Sequence, residues 1–204
     1  MRLYYLPGAC SLSPHIVLRE AGLPFELDKV DYASRKTESG RDFGGINPKG
    51  MVPALQLDNG EVLTEGAVIV QYVADQKPGS GLVPPAGSMA RYRVQEWLNY
   101  IASELHKTFG PLFNARTPED YRSVLKERLT KHFEHLDRHL AKNQFLAGPA
   151  FTAADAYCFT VLRWAASPRV GLDIGLLPNL KPYFDRVAAR PKVQEALKAE
   201  GLQA

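Results

Sequence analysis

The sequence pattern of this chain changes near residue 87. Before it, short runs of strand-forming residues alternate with helical patterns; after it, apolar residues recur at helical spacing to the end. Glycine and proline follow the same division, since 19 of the 31 lie in residues 1–87. A chain of 204 residues is long enough for one or two domains. The pattern therefore predicts an α/β unit followed by an all-α unit.

The first part is predicted to form a mixed, four-stranded sheet covered by helices. Strands are predicted at residues 2–6, 25–31, 52–57 and 61–63, and helices at residues 15–21 and 66–76. Ser13-Pro14 predicts the first helix start, with Ser13 as the cap, and Gly22 predicts its end. Asn59-Gly60 predicts a tight hairpin turn. The first two strands are expected to be parallel, because a helix connects them.

The second part is predicted to be helical throughout. Helical spacing is present over residues 94–105, 125–140, 153–166, 183–189 and 193–199. Thr152 and Asp155 have the spacing of a capping box, which starts the third of these helices.

Composition bears on location and partners. No stretch reaches the roughly 18 apolar residues of a membrane span, and Pro7-Gly8 interrupts the N-terminus before a signal-peptide core can form. We therefore expect a cytoplasmic protein with no membrane partner, in which Cys10 and Cys158 are reduced. The net charge of +3 divides into −2 over residues 1–87 and +5 over the remainder, without a basic cluster. No nucleic-acid partner is expected.

Cys10 lies in the turn between the first predicted strand and the first predicted helix. The N–H groups and positive dipole end of a helix start favour an anion, so a thiolate of Cys10 or of a ligand is stabilised there. A small residue filling a tight turn is the alternative, and spacing alone does not decide between them. Cys10-x-x-Ser13 is a redox spacing without its second cysteine, so a disulfide here needs another molecule's thiol.

Two further segments have features of a ligand site. Pro53 heads a predicted strand and cannot donate to the sheet, which leaves the backbone groups of Val52 free for a peptide-like ligand. Glu65 and Gly66 open a helix, where the carboxylate suits a ligand ammonium and the Gly66 N–H suits a ligand carboxylate. A turn proline and a helix-stabilising acid are the structural alternatives. Together the segments predict a crevice at the ends of the sheet.

In order and spacing these residues resemble the cytosolic glutathione transferases, specifically the bacterial beta class. The resemblance covers essentially the whole chain and rests on Tyr4-Tyr5-x-Pro7-Gly8-x-Cys10-Ser11-Leu12-Ser13-Pro14-His15, Asn47-Pro48-Lys49-Gly50-x-Val52-Pro53, Thr64-Glu65-Gly66 and Thr152-x-x-Asp155. It implies an α/β plus all-α fold: a thioredoxin-like domain over residues 1–80 with cis Pro53, a linker over residues 81–87, and a helical glutathione-transferase domain over residues 88–204.

The resemblance also implies a glutathione site. Its expected residues in the first domain are Cys10, Arg35, Lys36, Val52, Pro53, Glu65 and Gly66, and in the second Asn99, Ser103, Glu104, Leu105 and His106. On an ideal helix Asn99, Ser103 and His106 lie within about 60° of one another, whereas Glu104 lies on another face. Arg35 stands where the class often has lysine, which leaves the geometry of that contact open but not its charge.

Cys10 is the expected catalytic group. His106 is expected to donate to the thiolate or to move a proton. Other classes activate glutathione with a tyrosine or serine hydroxyl, so Tyr5 and Ser11 remain alternatives.

A hydrophobic co-substrate pocket is expected in the helical domain. Phe109, Phe113 and Trp164 are its candidate lining residues, with core packing as the alternative.

Three histidines raise the question of a metal. His132, His135 and His139 share one face of a predicted helix, but no nearby cysteine or carboxylate completes a familiar site. We expect a solvated or interface surface there, and no metal.

The resemblance implies a glutathione S-transferase that joins the glutathione thiolate to hydrophobic electrophiles, halogenated or otherwise activated. Glutathione is the expected co-substrate, and a homodimer is implied by the family. Two alternatives stay open: glutaredoxin-like thiol–disulfide transfer or reductive dehalogenation through a Cys10–glutathione mixed disulfide, and a noncatalytic binding module. The presence of Cys10, Val52-Pro53 and Glu65 together favours an enzyme.

Overall fold

The computed structural model describes residues Met1 to Gln203 and divides into two compact units. The first comprises Met1–Val83 together with the described residues from Ala189 onward, and the second comprises Pro84–Ala188. The expected domains, residues 1–80 and 88–204, differ from this division at the C-terminus, because the last helix groups with the first unit.

A five-stranded mixed sheet lies at the centre of the first unit. Its strands are β1 (Arg2–Tyr5), β2 (Glu26–Asp31), β3 (Lys36–Thr37), β4 (Ala54–Gln56) and β5 (Val62–Thr64), in the spatial order β3-β2-β1-β4-β5. β1 and β2 are parallel, as predicted, and β4 pairs antiparallel with both β1 and β5. The sequence predicts four strands, and β3 is the additional one. It is two residues long and polar, so no alternating pattern reveals it.

The hairpin between β4 and β5 has a longer turn than predicted. Of Asn59 and Gly60, only Gly60 has a positive φ, of 89°. The Gly60 N–H donates to the Leu57 carbonyl, and the Leu57 N–H donates to the Glu61 carbonyl. Residues 58–60 therefore form a three-residue loop, in which glycine alone takes the left-handed conformation.

Helices make up most of the remaining structure. The α-helices of the described chain are α1 (Leu12–Ala21), α2 (Phe43–Ile46), α3 (Gly66–Asp75), α4 (Met89–Tyr100), α5 (Lys107–Phe109), α6 (Glu119–Leu140), α7 (Ala153–Leu162), α8 (Leu180–Ala188) and α9 (Pro191–Ala199). A π-helical segment, Ile101–His106, joins α4 to α5. None of the described helices combines the length and the apolar character needed to cross a membrane.

The first helix begins earlier than predicted. α1 begins at Leu12, so Ser13 lies in its first turn and its hydroxyl donates to the Cys10 carbonyl at 2.8 Å. Pro14 is compatible with this start, because N–H groups of the first turn have no acceptor within the helix. The helix ends at Gly22, with φ of 66°, as predicted.

The regular elements of the second unit are helices, as predicted. Leu125, Leu129, Leu136 and Leu140 are the buried leucines of α6. Thr152 and Asp155 form the predicted capping box, in which the Thr152 N–H donates to Asp155 Oδ2 at 2.8 Å. α7 ends at Leu162, and the chain continues to Ala166 as a 3₁₀ helix.

A buried hydrogen bond between a histidine and a carboxylate links the C-terminal segment to α1 within the first unit. His15 Nδ1 lies 2.8 Å from Glu200 Oε1, and both side chains are 0% exposed. The Gly8 N–H donates to the other Glu200 oxygen at 2.9 Å. Arg19 Nε donates to His15 Nε2, which makes that nitrogen an acceptor and leaves the proton on Nδ1. Glu200 therefore contacts both α1 and the turn that carries Cys10.

Candidate active site

The turn between β1 and α1 holds Cys10 by hydrogen bonds on both sides of it. The buried Ser11 hydroxyl donates to the Leu6 carbonyl and accepts from the Leu6 N–H, both at 3.1 Å. Cys10 itself is half-buried, two residues before α1, and its Sγ donates to the Val52 carbonyl at 3.2 Å. The Ser11 hydroxyl thus fixes the path of the turn, and the thiol lies at the start of the helix.

Val52 is bonded through its backbone to two side chains of the first unit. Its carbonyl accepts from Cys10, and its N–H donates to the Tyr32 hydroxyl oxygen at 3.1 Å. The Val52–Pro53 peptide bond is cis, as the resemblance implies. The expectation that the Val52 backbone groups are unbonded is wrong, because the turn after β2 carries Tyr32 to the N–H.

The residue before α3 has an unusual backbone conformation. Glu65 has φ of 70°, a left-handed value that side chains other than glycine rarely adopt. Its carboxylate accepts from Lys49 Nζ at 2.7 Å, and the same ammonium donates to the Thr64 hydroxyl at 3.0 Å. The Glu65 side chain is 65% exposed, so a second cation can reach its carboxylate from solvent.

Gly66 lies where three segments of the first unit meet. A Cβ at Gly66 would lie 3.7 Å from Pro53 Cγ and 3.8 Å from Ser13 Oγ. The start of α3 is therefore packed against the cis proline and the first turn of α1. Together with the Cys10–Val52 hydrogen bond, this contact brings the three predicted segments of the crevice to one place.

The remaining candidates of the first unit differ in burial. Tyr5 is 8% exposed, and burial raises the pKa of its phenol, which therefore stays protonated at neutral pH. Arg35, with φ of 56°, and Lys36 are exposed on the β2–β3 connection and on β3. Their side chains can follow a ligand carboxylate in solvent.

In the second unit, the polar candidates lie on either side of the change from α to π geometry. Asn99 is exposed in α4, and Ser103 is exposed in the π-helical segment. The predicted spacing of Asn99, Ser103 and His106 used the 100° per residue of an α-helix. That value is wrong beyond Tyr100, since the i→i+5 hydrogen bonds of a π-helix give a wider turn. His106 ends the segment, and its Nδ1 lies 2.6 Å from the Tyr157 hydroxyl.

The two residues between Ser103 and His106 have other contacts. Arg128 donates to the Glu104 carboxylate at 2.6 Å, and this hydrogen bond lowers the pKa of Glu104. Leu105 is 0% exposed, so its side chain belongs to the core of the second unit.

An aromatic cluster of the second unit surrounds Trp164. Its ring centroid lies 4.9 Å from that of His106, 5.6 Å from that of Phe109 and 5.8 Å from that of Phe113. Phe109 is 0% exposed, whereas Phe113 and Trp164 are half-buried. Phe109 thus packs as core, and the other two present partly accessible aromatic surface.

The three histidines of α6 pack beside aromatic rings of α4. His132 Nδ1 lies 2.7 Å from the Tyr100 hydroxyl, and the ring of His139 lies 4.6 Å from that of Trp97. Burial raises the pKa of Tyr100 to about 12 and lowers that of His132. Within residues 1–203, no three such ligands are grouped closely enough to hold a metal ion.

Three residues at this site are not among the site residues predicted from the sequence. They are Tyr32, Lys49 and Glu200, which are hydrogen-bonded to Val52, Glu65 and Gly8, respectively. Lys49 lies within a motif that the resemblance uses, so its position was a usable signal. Tyr32 and Glu200 have no such signal, because their partners lie 20 and 192 residues away.

Comparisons with known proteins agree with this geometry. A family model described as "Glutathione S-transferase, N-terminal domain" matches residues 8–76, and one described as "Glutathione S-transferase, C-terminal domain" matches residues 100–191. Glutathione S-transferase GstA of Escherichia coli O157:H7 is 48% identical over 203 residues, covering 100% of each chain.

Solved structures extend the comparison to the fold. A beta class glutathione S-transferase of Sphingomonas chungbukensis is 47% identical, covers 100% of both chains and has a TM-score of 0.95. A sphingomonad glutathione S-transferase complexed with glutathione is 49% identical, with the same coverage and a TM-score of 0.95. These matches confirm the thioredoxin-like and helical domains, the enzyme class and glutathione as co-substrate. The chain belongs to the glutathione S-transferase family, in its bacterial beta class, and is a glutathione-conjugating enzyme.

Proposed function

We propose that glutathione binds along the first unit with its sulfur at Cys10. The main support is that three segments lie together in the first unit: the Cys10 turn, the Val52–Pro53 bond and the start of α3. The Val52 backbone suits the peptide of the ligand, since an extended peptide pairs with backbone groups beside a strand, here in exchange for the Cys10 and Tyr32 side chains. The γ-glutamyl ammonium is placed at Glu65 and its carboxylate at the Gly66 N–H.

The other end of the ligand is placed near basic residues. The glycyl carboxylate of glutathione can pair with Arg35 or Lys36, whose side chains are exposed a few residues after Tyr32. In the second unit, we propose contributions from Asn99 and from Ser103 to His106. Glu104 is a weaker candidate, because Arg128 already binds its carboxylate.

Conjugation follows from a stabilised thiolate. The start of α1 favours negative charge at Cys10, so a glutathione thiol placed there ionises more readily. The thiolate attacks an electrophilic carbon, and halide leaves or an activated double bond accepts the sulfur. We propose His106 as a donor to that thiolate, and Phe113 and Trp164 as the wall of the electrophile pocket, with Phe109 as the core beneath them.

Thiol exchange at Cys10 is the second candidate activity. Cys10 is a half-buried thiol at a helix start, a position that favours the thiolate, although ionisation breaks the hydrogen bond from its Sγ to the Val52 carbonyl. A Cys10–glutathione mixed disulfide supports glutaredoxin-like transfer or reductive dehalogenation.

We also propose a homodimer in the cytoplasm. Large apolar side chains are exposed on each unit, among them Met51 and Val68 on the first and Met89 and Tyr92 on the second. Burial of such residues stabilises an association between copies. The cytoplasm keeps thiols reduced, which the chemistry at Cys10 requires.

The test of this proposal is conjugation of glutathione to a chloronitrobenzene by the wild-type enzyme and by Cys10→Ala. We expect the variant to lose at least about tenfold in kcat/KM, because the group that holds the sulfur is removed. Undiminished activity would show that Cys10 is not essential. Activation would then belong to Tyr5, Ser11 or His106, and Tyr5→Phe, Ser11→Ala and His106→Ala would identify which.

A further inference from the structure

The Val52 N–H is held by a tyrosine that the reaction does not use. Tyr32 lies in the turn between β2 and β3, and its hydroxyl oxygen accepts from the Val52 N–H at 3.1 Å. Val52 is 6% exposed, whereas Tyr32 is 45% exposed. The donor is therefore fixed in the core of the first unit, while the acceptor is a surface side chain that can move into solvent.

A backbone N–H can make one good hydrogen bond at a time. A peptide ligand paired with Val52 needs that N–H for its own carbonyl oxygen. The Tyr32 hydroxyl and such a ligand are thus competitors for a single donor. The Val52 carbonyl has a comparable partner in Cys10, so the side chains of the first unit satisfy both backbone groups of this residue.

The electrostatics keep Tyr32 neutral. Burial raises the pKa of its phenol, the Val52 hydrogen bond opposes that change, and a thiolate at Cys10 raises the pKa further. The hydroxyl is therefore protonated at neutral pH. When a ligand carbonyl takes the place of the Tyr32 hydroxyl at the Val52 N–H, one neutral hydrogen bond replaces another.

We propose that Tyr32 sets the affinity of the enzyme for glutathione, because glutathione binds only after its carbonyl oxygen displaces the Tyr32 hydroxyl from the Val52 N–H. The residue acts as an internal competitor, and its removal strengthens binding. A neutral hydrogen bond of this kind shifts an equilibrium by about two- to tenfold, which is the expected size of the effect. This inference rests on the proposed placement of the glutathione peptide at Val52.

The experiment is calorimetric titration with S-methylglutathione, which has the peptide of glutathione but no thiol. Tyr32→Phe removes the hydroxyl and keeps the ring, and we expect its dissociation constant to be about two- to tenfold lower than that of the wild type. The matched control is Tyr121→Phe, at a tyrosine of α6 that is 50% exposed, and its dissociation constant is expected to equal that of the wild type.

The possible results distinguish the role of Tyr32 from the placement of glutathione at Val52. An equal or higher dissociation constant for Tyr32→Phe, with binding by the wild type intact, would overturn the role of Tyr32 and leave the placement of glutathione standing. A wild type that does not bind S-methylglutathione would overturn the placement itself, and the inference with it.

A second measurement checks that the hydroxyl acts through the backbone donor. Without ligand, hydrogen exchange of the Val52 amide is expected to be faster in Tyr32→Phe than in the wild type, since its acceptor is removed. The amides of β1 and β4 serve as the internal reference for intact folding. An unchanged Val52 exchange rate would contradict the proposal, whatever the affinity.

Discussion

At the scale of single residues, the two cysteines have opposite environments. Cys10 is half-buried at a helix start, with its Sγ on the Val52 carbonyl. Cys158 is 0% exposed in α7, and burial, with the nearby charge of Asp155, raises the pKa of its thiol. The sequence already distinguishes these environments, because Cys10 lies in a turn and Cys158 in an apolar run. Reactivity follows the thiolate fraction and access, so only Cys10 is a candidate reagent.

This difference predicts selective alkylation. Under native conditions iodoacetamide is expected to modify Cys10 and to leave Cys158 unmodified, as measured by mass spectrometry of proteolytic peptides. In Cys10→Ala, label is expected only after denaturation. Alkylation of Cys158 in the folded protein would contradict the burial described here.

At the scale of elements, local patterns predict a helix start better than the contacts that stabilise it. Thr152 and Asp155 predict the capping box of α7 from their spacing. The same carboxylate also accepts from the Leu146 N–H and from the Tyr183 hydroxyl, at 2.9 and 3.0 Å. Those partners come from other segments, so no local rule finds them. The π-helical segment is hidden for a similar reason, because apolar spacing over six residues does not distinguish it from an α-helix.

Asp155→Ala is expected to destabilise the protein strongly. The change leaves the buried donors of Leu146, Thr152 and Tyr183 without their acceptor, which costs about 3 kcal/mol or more in the free energy of unfolding. Urea denaturation measures this quantity.

The control is Asp185→Ala in α8. Asp185 is 55% exposed and pairs with Lys181, four residues earlier, so its loss is expected to cost about 0.5 kcal/mol or less. Equal destabilisation by the two substitutions would show that the buried network of Asp155 contributes nothing beyond a surface ion pair.

At the scale of the whole molecule, composition predicts two units but not their membership. The change near residue 87 agrees with the boundary between Val83 and Pro84. Nothing in the helical pattern of α9 shows that it joins the first unit. His15 and Glu200 are hydrogen-bonded although they lie 185 residues apart in the sequence, and no local pattern predicts such a contact.

Glu200→Ala is expected to weaken the first unit selectively. The change leaves the His15 Nδ1–H and the Gly8 N–H without their acceptor, which costs about 2 kcal/mol or more in the free energy of unfolding. Hydrogen exchange is expected to rise in α1 and in the turn of Cys10 more than in α6 and α7.

Glu195→Ala, in α9 just before Glu200, provides the comparison. Its carboxylate is 45% exposed and pairs with Lys192 and Arg19, so its loss is expected to leave the free energy of unfolding nearly unchanged. A uniform rise in exchange across both units in Glu200→Ala would contradict the assignment of α9 to the first unit.

Glutathione is proposed to bind where Cys10, Val52 and Gly66 meet. Amide chemical shifts of the ¹⁵N-labelled protein during a glutathione titration report on each of these three residues separately. The amides of Cys10, Val52 and Gly66 are expected to change together, with a single dissociation constant that also describes glutathione conjugation. Saturable changes confined to other residues, with no change at these three amides, would contradict this placement of glutathione.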